Sequence, residues 1–179
     1  MAFEYSKKIT EVSKLGQFLG QGTSKQSYLV GDKVYKFAIL DDAYYSDQIA
    51  FEKETYEKIP RQLKDILPET EFVTVTETYG DDTETYIYSI SERIQAPKRE
   101  AVLSLTEEWG RDYTIYDFIK TIYLFGAESL DLYRYYTELV DSFLHWLGRV
   151  GGVTEDIIYN SDNYGLNDKG ELKILDWGA

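Results

Sequence analysis

The stretch 163–178, NYGLNDKGELKILDWG, places a polar side chain at each end of a predicted β-hairpin. A short polar turn separates the runs 164–166 and 172–175, as in an antiparallel hairpin. Asn163 comes directly before the first run, and Asp176 comes directly after the second. Amide and carboxylate oxygens are ligands suited to Mg²⁺. Asp176, at the end of an apolar run and before an aromatic residue and a glycine, is therefore a candidate ligand for a metal ion.

Composition limits the classes of function that the chain can have. It has 179 residues, no cysteine and a formal net charge of −13. Without cysteine there are no disulfides, thiolate nucleophiles or cysteine zinc sites, which fits a reducing cytoplasm. A strongly negative field repels nucleic acid and anionic membranes, and no segment approaches the roughly 20 apolar residues of a membrane helix. We therefore expect a cytoplasmic protein that binds neither nucleic acid nor membrane directly.

The first half of the chain is predicted to be rich in β-strands. Period-two alternation and turn residues indicate five strands, in the segments 15–30 (two strands around a glycine turn), 34–39, 71–79 and 84–94. Gly31-Asp32 and Gly80-Asp81-Asp82 are the predicted hairpin turns. A helix is predicted over 44–59, where Ile49, Tyr56 and Ile59 share one face.

The second half is predicted to be mostly helical. After a connector at 95–100, the segment 130–150 carries apolar residues at helical spacing and ends at Gly151-Gly152. The predicted apolar stripe consists of Leu132, Tyr136, Leu139, Val140, Phe143, Leu147 and Val150. His145 lies in the same pattern, so we expect it to be structural. A loop is predicted at 153–164. The layout is therefore α+β, with a β-rich lobe over 1–94 and a helical lobe over 95–179.

This order of elements, ending at Asp176, resembles that of the protein-kinase fold, and most of all the small, divergent kinase-like proteins that bacteriophages encode. The resemblance implies a five-stranded antiparallel N-lobe with one helix and a minimal, truncated helical C-lobe. It covers nearly the whole chain but only the first part of a usual second lobe. It also implies ATP and Mg²⁺ as ligands and, for a phage protein, the host cytoplasm as its location.

Two motifs of the first lobe match the phosphate-binding parts of a kinase. Gly20 and Gly22 resemble the start of the glycine-rich loop, whose bare backbone can approach phosphates. The third glycine of that pattern falls at Lys25, so the match is partial. Lys36, in VYKFAI, is at the place of the third-strand lysine that contacts the phosphates.

Three glutamates complete the nucleotide-facing side of the resemblance. Glu52 lies beside the apolar face of the predicted helix and is expected to pair with Lys36. Glu54 is the alternative partner, although helical geometry aims it more towards solvent. Glu92, before the connector, is at the position of the hinge, where backbone groups would meet the edge of the adenine.

The spacing of Asn163 and Asp176 is that of the metal-binding Asn of the kinase catalytic loop and the Asp of the Asp-Phe-Gly motif. Trp177 replaces the phenylalanine. The resemblance implies that the two residues hold Mg²⁺ between the phosphates of a nucleotide.

The chain departs from the kinase pattern at the catalytic base. The base is normally an Asp five residues before the metal-binding Asn, but here that position is Ile158. A two-residue bulge could bring in Asp156, and Asp162 is a weaker alternative. In addition, no activation segment or substrate platform follows Gly178 in this sequence. Both departures favour a protein without turnover.

Three hypotheses for the function follow. The first is a degenerate, pseudokinase-like protein that does not catalyse but acts by binding a protein partner, such as a host enzyme or defence component. The second is an active minimal phosphotransferase with Asp156 or Asp162 as the base. The third is an acidic mimic of nucleic acid, which the runs 77–84 and 107–117 suggest.

Overall fold

The computed structural model describes residues 12, 14–21, 25–38, 43–95, 113–125 and 129–177. The chain forms two compact units. The first unit comprises the described residues up to Glu57 together with Glu69–Arg93. The second unit comprises Lys58–Pro68 and the described residues from Ile94 onwards. The chain is therefore of the predicted α+β class, and the segment 58–68 leaves the first unit and packs in the second.

The first unit is built on a five-stranded antiparallel sheet with the strand order β1-β2-β3-β5-β4. Its strands are β1 (Gln17–Gln21), β2 (Lys25–Val30), β3 (Lys33–Ala38), β4 (Thr70–Tyr79) and β5 (Asp82–Glu92). Helix α1 (Ala43–Lys58) lies between β3 and β4 in the chain. The five predicted strands and the inserted helix are confirmed.

Two glycines make the tight connections of this sheet. Val30 pairs with Lys33 across a two-residue turn that starts at Gly31, where φ is +63°. Gly80, at the tip of the β4–β5 hairpin, has the same φ of +63°. Two-residue hairpin turns need a positive φ at their first central residue, which glycine adopts without steric cost.

The two faces of the sheet carry different sets of side chains. One face carries the aromatic core, in which Tyr35 and Phe37 of β3 pack with Tyr88 and Ile90 of β5 and with Val12. The rings of Phe37 and Tyr88 stack with their centroids 4.8 Å apart. Burial of aromatic side chains on this scale is the main source of stability in a small unit.

The opposite face of the sheet mixes polar and apolar side chains, and helix α1 packs against it. The strand register places Lys36 directly between Ser27 and Ser89, so these three side chains share this face. Phe72 of β4 lies opposite Ser89, and its ring contacts the ring of Tyr56 in α1, with centroids 5.7 Å apart. The helix therefore covers a sheet face that contains lysine and serine.

The second unit is built from helices and one hairpin. Its regular elements are a 3₁₀ helix (Arg61–Ile66), α2 (Ile115–Ile119) continuing into a π-helical segment (Lys120–Phe125), α3 (Leu130–Arg149), α4 (Glu155–Tyr159), a 3₁₀ turn (Ser161–Asn163), β6 (Tyr164–Leu166) and β7 (Leu172–Ile174). The predicted helix and hairpin are confirmed. The predicted loop at 153–164 is wrong, because α4 and the 3₁₀ turn fill most of it.

Helix α3 buries most of the predicted apolar stripe. Five members of the stripe are buried, but Leu132 and Val150 remain 38% and 43% exposed. Leu132 lies near the start of the helix and Val150 directly follows its last residue, so fewer side chains are available to pack against them. Trp146 is buried instead, together with Leu144. His145 is exposed, so the expectation that it belongs to the apolar pattern is wrong. None of the helices in the described ranges combines the length and apolar character that a bilayer crossing requires.

The connector that enters the second unit pairs with the hairpin. Gln95 and Leu166 exchange two backbone hydrogen bonds, of 2.9 and 3.0 Å. Gly165 lies beside this bridge, and a Cβ at that position would be 2.7 Å from the carbonyl carbon of Gln95 and closer still to its oxygen. Only glycine leaves room for so close an approach of two backbones.

We expect Gly165→Ala to lower the free energy of unfolding by about 3 kcal/mol, because the methyl group must displace rigid backbone rather than a flexible side chain. Urea denaturation followed by circular dichroism measures this loss. Gly148→Ala is the matched control. The nearest atom to its Cβ would be 3.8 Å away, and alanine in a helix gains up to about 1 kcal/mol over glycine. Equal stability of the two variants would contradict the steric argument.

Candidate functional site

The β6–β7 hairpin brings the two predicted metal ligands to the same end. The backbone N–H of Leu175 donates to the carbonyl of Asn163 over 2.8 Å, and Asp176 is the next residue. This bond extends the hairpin beyond the pair of Tyr164 and Ile174. Asn163 is buried, at 7% exposed, and Asp176 is partly exposed. Two residues thirteen apart in sequence are therefore neighbours across the open end of one hairpin.

The other end of the hairpin is fixed by Asn167. Its Oδ1 accepts hydrogen bonds from the backbone N–H groups of Lys169 and Glu171, over 3.0 and 2.9 Å. Its Nδ2 donates to the carboxylate of Glu171 over 2.9 Å, and this bond is the main reason that the pKa of Glu171 is lowered. Asparagine is favoured in turns because its side chain can replace backbone partners in this way. The turn therefore holds the register that aligns Asn163 with Leu175.

Helix α4 brings Asp156 into contact with Asn163. The Nδ2 atom of Asn163 donates to Oδ2 of Asp156 over 2.6 Å and approaches the carbonyl of Asp156 at 3.3 Å. Burial of Ile157 anchors the helix, whereas Ile158, at the base position of the resemblance, is only partly buried. Asp156 thus contacts Asn163 from a turn of helix and not through the two-residue bulge that the sequence left open.

Asp162, the weaker alternative base, is placed differently. Its side chain is exposed, and its backbone N–H donates to Oδ1 of Asn160 over 3.1 Å. No hydrogen bond joins its carboxylate to Asn163 within the described residues. Of the two candidate bases, only Asp156 contacts a predicted metal ligand.

The donor atoms at this end of the hairpin fit a hard cation. Because the amide nitrogen of Asn163 donates to Asp156, its carbonyl oxygen is the atom that suits a metal. With the carboxylate of Asp176 it gives two oxygen donors, the type of ligand that Mg²⁺ prefers. In the described ranges, no three His, Cys, Asp or Glu side chains form a metal cluster by themselves. Any site here therefore depends on the amide oxygen of Asn163.

In the first unit, Glu52 forms an ion pair with Lys25, a residue that was not among the predicted site residues. Glu52 is 2% exposed and pairs with Lys25, which is 6% exposed. Lys36, the expected partner, is partly exposed and lies on the same sheet face. Lys25 is the first residue of β2 and stands where the kinase pattern has its third glycine. The absence of that glycine is the sequence feature that could have drawn attention to Lys25. Glu54 is exposed, as its helical position predicts.

The other candidates for contact with the nucleotide lie in β1 and at the end of β5. Gly20 ends a stretch of irregular register in β1, and a Cβ there would meet no atom within 4 Å. Gly22 lies outside the described residues. The backbone N–H of Glu92 donates to the carbonyl of Glu69, and its carboxylate accepts from the N–H of Glu69, each over 3.1 Å. The amide of Glu92 is therefore already used, which leaves less backbone for an adenine edge than a hinge would offer.

A cleft of about 340 Å³ opens beside α4 in the second unit. Ile158 and Tyr159 of α4 line one side, and Lys120 and Tyr116 contribute to the other. Asp117 also borders the cleft but is buried at its base, where its carboxylate accepts from the backbone N–H of the N-cap residue over 3.0 Å. The helix that carries Asp156 thus forms a wall of a partly polar cleft.

The acidic runs behave differently from one another. The run 77–84 forms the tip of the β4–β5 hairpin, where Glu77 and Glu84 are paired across the strands. Residues 107–112 lie outside the described part of the chain. Asp117, the last acidic residue of the second run, is buried in the capping box of α2 with Thr114, so its placement in a solvated acidic stretch is wrong.

Comparison with known proteins gives weak structural similarities only. No family model and no curated protein matches the sequence. The chain is similar to three solved structures of WbdD: one with the kinase inhibitor LY294002, one at 2.2 Å, and one described as the bifunctional kinase-methyltransferase. Their TM-scores are 0.42, 0.43 and 0.39, and their sequence identities are 13%, 12% and 13%. They cover 90%, 92% and 87% of this chain, but the chain spans only about a third of theirs (32%, 32% and 29%).

Proposed function

We propose that this protein is kinase-like and binds a nucleotide, ATP, together with Mg²⁺. The observation that carries the proposal is the hydrogen bond from Leu175 to Asn163, which brings Asn163 and Asp176 to one end of a hairpin. The amide oxygen of Asn163 and the carboxylate of Asp176 would hold the metal. The bound metal would supply positive charge to the phosphate groups.

Support comes from the agreement between the motifs and the elements that carry them. Gly20 lies on the first strand, Lys36 in the middle of the third and Glu52 in the inserted helix, in the order that the resemblance requires. In this proposal Gly20, Gly22 and Lys36 contact phosphates, and Glu92 lies near the base. These roles are inferred from the sequence motifs, and each can be removed by a single substitution.

The proposal predicts that Mg²⁺ with ATP raises the melting temperature, because a ligand that binds only the folded state stabilises it by about 2.7 kcal/mol at a hundred times its dissociation constant. Asp176→Asn should abolish the shift by removing a metal ligand. Scanning fluorimetry with ATP and Mg²⁺, separately and together, measures it. Asp168→Asn, an equal change of charge at the exposed hairpin turn, should leave the shift intact. A parent protein without a shift at millimolar nucleotide rejects the proposal.

Phosphoryl transfer is a second candidate, favoured by the 2.6 Å contact between Asp156 and Asn163. A carboxylate at this place can orient an acceptor hydroxyl and take its proton while the hydroxyl oxygen bonds to the γ-phosphorus and ADP departs. In this candidate the acceptor would enter the cleft that Ile158 and Tyr159 of α4 line. In this candidate Asp156 replaces the base that Ile158 cannot provide.

A non-catalytic role through a protein partner is the outcome if nucleotide binds and no phosphate is transferred. Ile158 at the usual base position favours it, since isoleucine neither orients a hydroxyl nor accepts a proton. The protein would then act as a pseudokinase on a partner such as a host enzyme or defence component. We do not propose the nucleic-acid mimic, because Asp117, the last acidic residue of one of the two runs that suggested it, is buried.

A further inference from the structure

Tyr159 is the most accessible aromatic side chain in the part of the chain whose burial the structure describes. It is 60% exposed and is the last residue of helix α4. With Ile158 it lines one side of the cleft of about 340 Å³ in the second unit. Its phenolic hydroxyl is therefore accessible from solvent at the edge of a cleft.

The hydroxyl of Tyr159 differs from two other tyrosine hydroxyls of the second unit, because no hydrogen bond within the described residues engages it. Tyr116, which also lines the cleft, donates to Oδ1 of Asp141 over 2.5 Å. Tyr123 donates to the carbonyl of Gly170 over 3.0 Å. Of these three hydroxyls, only that of Tyr159 can meet a reactant without first breaking a hydrogen bond inside the protein.

Helix α4 places the side chain of Tyr159 beside Asp156. Residues three apart on a helix are neighbours on its surface, with Cβ atoms about 5–6 Å apart. Helical side chains lean towards the N-terminus, a direction that takes Tyr159 towards the turn that contains Asp156. Asp156 is exposed, and it uses Oδ2 to accept the hydrogen bond from Asn163 over 2.6 Å. An accessible hydroxyl and a candidate general base thus lie on the same turn of helix.

We propose that Tyr159 is the phosphoryl acceptor of this protein and that the transfer takes place within one chain. This inference rests on the proposed phosphoryl transfer from ATP and names its acceptor, which is part of the cleft wall and not a separate molecule. Asp156 takes the phenolic proton while the Tyr159 oxygen bonds to the γ-phosphorus. The bond from that phosphorus to the β–γ bridging oxygen breaks, and the products are ADP and phosphotyrosine.

The chain itself holds this acceptor next to the base. An acceptor that belongs to the chain needs no binding step, and holding the reacting groups together is a large share of what catalysis of phosphoryl transfer requires. Transfer within one chain is a first-order process. Its rate constant should therefore not depend on the concentration of the protein.

Incubation with Mg²⁺ and γ-labelled ATP, followed by peptide mapping with mass spectrometry, tests the assignment. We expect the label on Tyr159, with a rate constant that dilution of the protein does not change. Tyr159→Phe should lose the label but keep the rise in melting temperature that Mg²⁺ and ATP produce. Tyr135→Phe is the matched control, because Tyr135 is also exposed, at 46%, but lies on α3. It should be labelled as the parent is, whereas Asp176→Asn should stay unlabelled if the activity is the protein's own.

Other results overturn the assignment in distinguishable ways. Label on another residue, label that persists in Tyr159→Phe, or release of phosphate to water alone would overturn it while phosphoryl transfer stands. A rate constant proportional to protein concentration would place the transfer between two chains and overturn the arrangement on α4. Binding of ATP without any transfer would overturn phosphoryl transfer together with the assignment. A parent that binds no ATP would overturn the proposed nucleotide binding as well.

Discussion

We expect Lys25→Met to lower the free energy of unfolding by about 3–5 kcal/mol, because it removes a counter-ion from the deeply buried carboxylate of Glu52. An ionised carboxylate that loses a buried partner pays its desolvation cost without the compensating attraction. The loss should be visible as a lower denaturation midpoint in urea with an unchanged slope.

A second substitution separates the charge effect from lost packing. Adding Glu52→Leu to Lys25→Met also removes the buried carboxylate, so most of the lost stability should return. Lys53→Met, one residue along α1 in an exposed pair, should change stability by less than about 1 kcal/mol. If the double variant is no more stable than Lys25→Met, the buried charge is not what destabilises the single variant.

Replacing Asp156 by asparagine should lower the rate of phosphoryl transfer from ATP by about a hundred- to ten-thousandfold, the usual contribution of a placed general base. Asparagine can still accept the hydrogen bond from Asn163, so nucleotide affinity should be preserved. Transfer of labelled phosphate to the protein or to water, under single-turnover conditions, measures the rate.

Asp162→Asn is the matched control for this experiment, because it makes the same change at the exposed neighbour of Asn163. Its rate should stay within a few-fold of the parent. If Asp162→Asn transfers no phosphate while Asp156→Asn does, the base is Asp162 and not Asp156. A parent that binds nucleotide but transfers no phosphate would instead support the pseudokinase role, with Ile158 as its cause.

Much of the fold could be predicted because its signals are local. Period-two alternation and two glycine turns were sufficient for the strands around Gly31 and Gly80, and the spacing of apolar residues was sufficient for α1 and α3. The hairpin that carries Asn163 and Asp176 was predictable for the same reason. Each of these signals lies within a dozen residues and depends little on the rest of the chain.

The parts that escaped prediction depend on tertiary context. The pairing of Lys25 with Glu52 depends on the register of α1 against the sheet, and no local pattern in the sequence indicates it. Helix α4 has only five residues, which is too few to give a periodic pattern of apolar residues. The contact that it creates between Asp156 and Asn163 could therefore not be predicted from the sequence. The exposure of Leu132 likewise depends on how far along α3 the residues that pack against this helix extend.

The segment 58–68, which belongs to the second unit, limits how the chain can be cut into fragments. Ile66 and Leu67 are fully or almost fully buried, and their 3₁₀ segment packs against α3 and β7 in the second unit. Lys173 of β7 reinforces this packing by donating to the carbonyl of Asp65 over 2.6 Å. A fragment cut near residue 94 would therefore carry apolar side chains whose partners remain on the other piece. The two pieces should therefore be expressed together. Folding of the second unit should require the segment 58–68, which is synthesised about a hundred residues before the β6–β7 hairpin.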